Sequence, residues 1–147
     1  MKSRLKEISA VIVGWMGRSI VNMVLVQLGH TFFPFHLDPN DLEALKYVML
    51  TLEPIYLVFP FLAHALGTLA GALLTELIAS KHKAIFSISI GGVFLLGGIA
   101  MAFMLPAPLW FTATDLILAY LPMAFLGVKL VARFQKETKF SSHLDEI

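Results

Sequence analysis

The sequence predicts an all-α integral membrane protein, a four-helix bundle with both termini in the cytoplasm and a short extracytoplasmic amphipathic helix before the second span. Three observations lead there. Hydrophobic residues make up 58% of the 147-residue chain and charged residues 14%, against roughly 45–50% and about 25% in an ordinary soluble domain. Mean hydropathy is +0.81, more apolar surface than one small core can hide, because a compact domain of this size still leaves about a third of its unfolded surface exposed. Finally, four stretches reach the roughly 20 mostly apolar residues that crossing a bilayer requires. Residues 1–147 therefore read as a single transmembrane domain whose solvent is lipid.

The first span runs over about 8–28 and is the least apolar, because Arg18 and Asn22 lie near its middle. The basic start before it superficially suggests a secretory signal. The apolar run is interrupted by Arg18, however, and no small-x-small pattern follows before Gly29 and His30, so it reads as a retained span. The long connection 29–53 contains Pro34, Pro39 and the Asp38 to Asp41 cluster, which mark a turn. Asn40 or Asp41 is placed to cap a helix starting at Leu42. Leu42, Leu45, Val48, Met49 and Leu52 then recur at helical spacing opposite Glu43 and Lys46; this segment either lies on the membrane surface or extends the second span. The second span covers about 54–79, the third 84–105 without any charge, and the fourth 110–131. Short links at 80–83 and 106–108 make consecutive spans antiparallel neighbours. The polar tail, 136–147, is expected to be poorly ordered.

Loop charge gives the orientation. Lys2, Arg4, Lys6, Lys81, Lys83, Lys129, Arg133, Lys136 and Lys139 fall on one side, and only Lys46 falls on the other, beside Asp38, Asp41, Glu43 and Glu53. A nine-to-one bias puts the first side in the cytoplasm. Trp110 and Phe111 at one outer helix end, and Phe32, Phe33 and Phe35 at another, suit an aromatic belt.

Helices in lipid associate through small residues and hydrogen bonds. Ala63, Gly67, Gly71, Thr75 and Ala79 recur every four residues on the second span, and Ser87, Gly91, Gly98 and Ala102 form a stripe on the third, widened by Gly92 and Gly97. These stripes predict that the second and third spans pack closely, or that one of them meets another subunit. Pro60 and Pro122 remove backbone donors inside their spans and predict bends near Tyr56 and Leu118.

Charge inside hydrocarbon is costly, and so its positions point to function. Arg18 and Asn22 share a face of the first span; His64 lies near the membrane midplane, about 15 Å from the outer end of its helix at 1.5 Å per residue. Asp115 and Tyr120 lie on the fourth span, and Glu53 opens the second, eleven residues or three turns before His64. The expectation is a polar pocket between helices in which Arg18 pairs with Glu53, Asp115 or Glu76. The alternative is that these groups only fix helix register. A single deep histidine gives no bis-histidine haem, no ligand spacing supports a metal, and no phosphate loop or nucleophile motif occurs. No cofactor is expected. Cysteine is absent, which excludes thiol chemistry. A net charge of +1 with scattered basic residues gives no case for nucleic acid.

The segments HALGTLAGALLTELIASKHK, GGVFLLGGIAMAFMLPAPLWF and DLILAYLPMAFLGVKL, which together cover about half the chain, resemble small four-span proteins of bacterial inner membranes. The resemblance implies a bacterial plasma membrane and no particular activity. The first-span glutamate of small multidrug exporters is missing, as are the asparagine and phenylalanine motifs of fluoride channels. Both of those families often insert in two orientations, which the charge bias here opposes. Function is accordingly expected to be an oligomeric transporter or channel-like protein for a small solute or ion. The runner-up is an accessory or assembly subunit of a larger membrane complex. An intramembrane lipid-modifying enzyme, with His64 or Asp115 as base, comes third. Expected partners are the bilayer and either a second copy of the chain or another membrane protein.

Overall fold

The computed structural model describes residues 2–34 and 41–144, all of them helical or in short connections. The helices are α1 (Lys2–Phe32), α2 (Leu42–Thr51), α3 (Pro54–Ile78), α4 (Lys83–Met104), α5 (Leu109–Leu118) and α6 (Leu121–Leu144). Four stretches, Arg4–Phe32, Pro54–Ile78, Lys83–Met104 and Leu109–Thr138, are long and apolar enough to cross a membrane, the last one running through α5 and α6. The bundle is turned inside out relative to a soluble one. Its buried residues include many small ones, Ala10, Ala63, Ala72, Ala124, Thr68, Thr75 and Ser87 among them, while Ile8, Ile12, Trp15, Met23, Leu96 and Phe103 face outward. These features are those of a membrane protein.

Local chemistry explains where each helix starts and stops. The Asp41 carboxylate accepts the Ala44 N–H at 3.0 Å and caps α2; Lys46 pairs with Glu43 at 2.9 Å across the next turn. Pro54 occupies the first turn of α3 and holds Glu53 extended, which separates α2 from α3. At the far end of α3 the Ala79 N–H returns to the Thr75 carbonyl, and His82, at φ 47°, turns the chain into α4. Leu105 closes α4 on the Met101 carbonyl before Pro106 and Pro108. The Phe35, Asp38, Pro39 and Asn40 readings lie outside the described residues.

The two prolines behave differently. Helix α3 continues unbroken through Pro60. Near Pro122 the fourth span is interrupted at Ala119 and Tyr120, where the Ala119 N–H still reaches the Asp115 carbonyl and α6 restarts at Leu121. Over the tail expected to be poorly ordered, α6 runs on to Leu144, and residues 145–147 lie outside the described residues. An Arg133–Glu137 pair at 3.0 Å and the Thr138 hydroxyl on the Phe134 carbonyl extend a helix already nucleated by its apolar part.

Helix α3 packs against α4, and against α1 more extensively still. Gly14 and Gly71 let two backbones touch: a methyl on Gly71 would stand 2.8 Å from the Gly14 carbonyl and 2.9 Å from Arg18 Cβ, and one on Gly14 would strike Thr75. The α3 stripe thus serves mainly the first span, with Ile90 of α4 reaching Gly71 from the other side. The α4 stripe serves the fourth span instead, Gly91 lying against Ala124 and Gly98 against the Tyr120 hydroxyl. Gly14 and Gly17 supply the α1 side of this contact; three apart and followed at once by Arg18, they form no four-residue repeat.

Candidate functional site

Five polar residues from four elements converge on one cavity at mid-bundle. It holds about 560 Å³ and extends from the level of Arg18 and Tyr120 toward α2 and the α4–α5 turn. Arg18, Asn22, His64, Asp115 and Tyr120 all line it; Glu53 does not and is exposed. The sequence placed Glu53 on the His64 face by counting three turns, but Glu53 is the residue before α3, extended at ψ 146°, so helical periodicity does not reach it.

Asp115 is the hub. Its carboxylate, 5% exposed, receives His64 Nδ1 at 3.0 and 2.9 Å on its two oxygens, and the Tyr120 hydroxyl donates to Oδ2 at 3.2 Å. The break between α5 and α6 makes this possible, because Tyr120 sits five residues after Asp115 on a turn that swings its ring back to the same oxygen. Gly98 leaves room for the hydroxyl: a methyl there would stand 2.5 Å from it. The His64 ring lies 5.7 Å from the Tyr120 ring, and the His64 carbonyl accepts the Thr68 hydroxyl at 2.7 Å. Thr68 thereby satisfies itself within its own helix, as hydroxyls do in apolar surroundings.

Arg18 is built differently. It is 6% exposed, and its Nε has no hydrogen-bond partner among the described residues. The expected Arg18 ion pair is not formed, since no carboxylate of the described residues comes within 4.0 Å of it and Asp115 is already engaged. Its guanidinium instead lies 3.4 Å over the Phe94 ring of α4, a cation–π contact worth about 0.5–2 kcal/mol. One turn along α1, the Asn22 side-chain oxygen is likewise buried without a hydrogen-bond partner among the described residues. Buried polar atoms are nearly always bonded, and these two unbonded atoms belong to residues on one cavity wall. Phe94 carried no signal in the sequence that set it apart from its apolar neighbours.

A separate polar cluster stands at the end holding both termini. Ser87 donates to Glu76 at 2.7 Å, both of them buried. The Lys81 backbone N–H donates to the buried Glu7 at 2.9 Å, tying the α3–α4 turn to α1. Glu76 is thus engaged by Ser87 and closes the end of the α3–α4 seam next to the α3–α4 turn. Among the described residues no group of histidines and carboxylates is arranged to hold a metal ion.

Compared with protein-family models, curated proteins and solved structures, the chain matches none.

Proposed function

We propose that this chain is a multi-pass protein of the bacterial plasma membrane, both termini cytoplasmic, which binds and passes a small acidic solute at the Arg18–Asn22–His64–Asp115–Tyr120 cavity and works as an oligomer. One observation carries the reading: a guanidinium buried to 6% exposure on a cavity wall without a directly bonded anion among the described residues, Asp115 acting on it only from a distance. A buried charge without a bonded counter-ion in a bilayer costs several kcal/mol. Were these residues only fixing helix register, Arg18 would be paired, as Asp115 is with His64. A carboxylate or phosphate entering the cavity supplies the missing partner, and Asn22 adds a hydrogen-bonding group one turn away. His64 and Tyr120 hold the protein's own carboxylate aside, so that it does not occupy the arginine.

The reading makes an unusual demand on stability. Removing a buried charge that no bonded anion neutralises should leave the ligand-free protein about as stable or more stable, because binding sites sacrifice stability for function. A ligand at a hundred times its Kd should add about 2.7 kcal/mol. Thermal unfolding of purified protein in detergent, with and without a series of short carboxylates and inorganic phosphate, tests both. Arg18→Gln is expected to keep or raise the unligated Tm and to abolish the ligand-induced rise. A variant that unfolds early, together with no rise for any acid in the parent protein, assigns Arg18 to structure alone.

A further inference from the structure

We propose that the guest of this cavity is a single-chain amphiphile with an acidic head, a carboxylate or a phosphate monoester, which slides in sideways past α4. The inference rests on the solute-binding reading above and names its ligand class. Three observations carry it.

Size comes first. A cavity of about 560 Å³ is far larger than an inorganic anion with a few waters needs, at about 30 Å³ per water, and falls among pockets that enclose molecules of drug size. Polarity comes second, and it is one-ended. Arg18, Asn22, His64, Asp115 and Tyr120 gather at mid-bundle, whereas toward α2 and the α4–α5 turn the wall is mostly apolar, with Val26, Met49, Leu105 and Phe111 on it and Thr112 as its one polar side chain among the described residues. An ion conduit needs polar groups along its whole length; a wall polar at one end and mostly apolar along the rest matches a head and a tail.

The opening comes third. Gly97 and Met101 line the cavity and are exposed at the same time, Met101 to 53%, and a methyl added to Gly97 would meet no atom within 4 Å. Phe94, Gly97 and Met101 follow one another at i, i+3 and i+7, which puts them on one face of α4, and Phe94 lies against Arg18 of α1. The gap therefore lies on the α1 side of α4, level with the arginine. In a bilayer that flank faces acyl chains, where an amphiphile is already dissolved and oriented. Glycine at 97 keeps the gap open, because any side chain there would project into it.

The full chain in phosphatidylcholine nanodiscs is exposed to a diazirine-bearing palmitate, to the corresponding alkyl phosphate and to the neutral alcohol, irradiated, and mapped by peptide mass spectrometry. Labelling by either acid at Met101, Leu105 or Phe111, at least tenfold above the alcohol, is expected, and the preferred head tells carboxylate from phosphate. Gly97→Phe and, independently, Met101→Trp should cut that labelling at least fivefold while butyrate or inorganic phosphate still raises the Tm. Equal labelling by acid and alcohol, or labelling unchanged in both variants, overturns the amphiphile. If only the short acids bind, the amphiphile fails and the solute site stands; if neither short nor long acids bind, both readings fail.

Discussion

At the scale of single residues, the site divides into a satisfied half and an unsatisfied half, and the two respond oppositely to mutation. Asp115 gathers two donors, so Asp115→Ala strands both His64 and Tyr120 and is expected to cost about 1–3 kcal/mol in denaturant unfolding in detergent. Tyr120→Phe removes one donor at 3.2 Å and should cost about 0.5–1.5 kcal/mol. Both act through one carboxylate, so the double variant should cost at least 0.5 kcal/mol less than the sum of the singles, as coupled neighbours do. Strict additivity would mean that the hydroxyl contributes nothing through Asp115. Much of this half was legible in the sequence, because charge in an apolar helix stands out against its neighbours. Its wiring was not: which carboxylate meets which cation depends on the turn at Ala119 and Tyr120 and on the room left by Gly98, and neither is visible one residue at a time. The sequence favoured an Arg18 ion pair because a buried cation ordinarily demands one. The unpaired arrangement is the departure that points to a guest.

At the scale of elements, small residues decide which helices touch. The stripe on α3 was legible, since a repeat of four along an apolar helix is a direct geometric signal, but a stripe does not name its partner. The partner is α1, where Gly14 meets Gly71 backbone to backbone. Gly71→Ala puts a methyl 2.8 Å from a carbonyl that cannot move without its helix, and about 1–3 kcal/mol of overpacking cost is expected, seen as a lower Tm. Gly92→Ala is the matched control. It lies on the next helix with nothing within 4 Å, and the gain in helix propensity, up to about 1 kcal/mol, should leave Tm equal or higher. Equal losses at both positions would show that glycine matters here for helix flexibility and not for close approach. The tail illustrates the opposite case. Polar composition suggested disorder beyond Gln135, yet polar residues with good propensity and i,i+4 pairs simply prolong a helix whose nucleus already exists.

At the scale of the whole molecule, the arrangement of charge along the chain is the property from which orientation follows. Of eleven Lys and Arg residues, nine lie before the first span, between the second and third, or at the end of the fourth, and only Lys46 lies at the α2 end. The positive-inside bias acts through short loops near helix ends, and the 79–82 turn and α2 are both of that kind. The chain contains no cysteine, so one introduced thiol reports its own position without background. Glu43, with a side chain 84% exposed, and Ser80, exposed in the α3–α4 turn, mark the two ends. In intact cells a membrane-impermeant maleimide is expected to label Glu43→Cys and to leave Ser80→Cys unlabelled until the membrane is permeabilised. The bias also predicts a single orientation, so neither position should label partially. Labelling of Ser80→Cys from outside would invert the bundle and place α2 in the cytoplasm. Labelling of both positions in intact cells would mean two orientations, and with them antiparallel pairs of subunits in which the α4 openings of neighbouring copies face opposite leaflets.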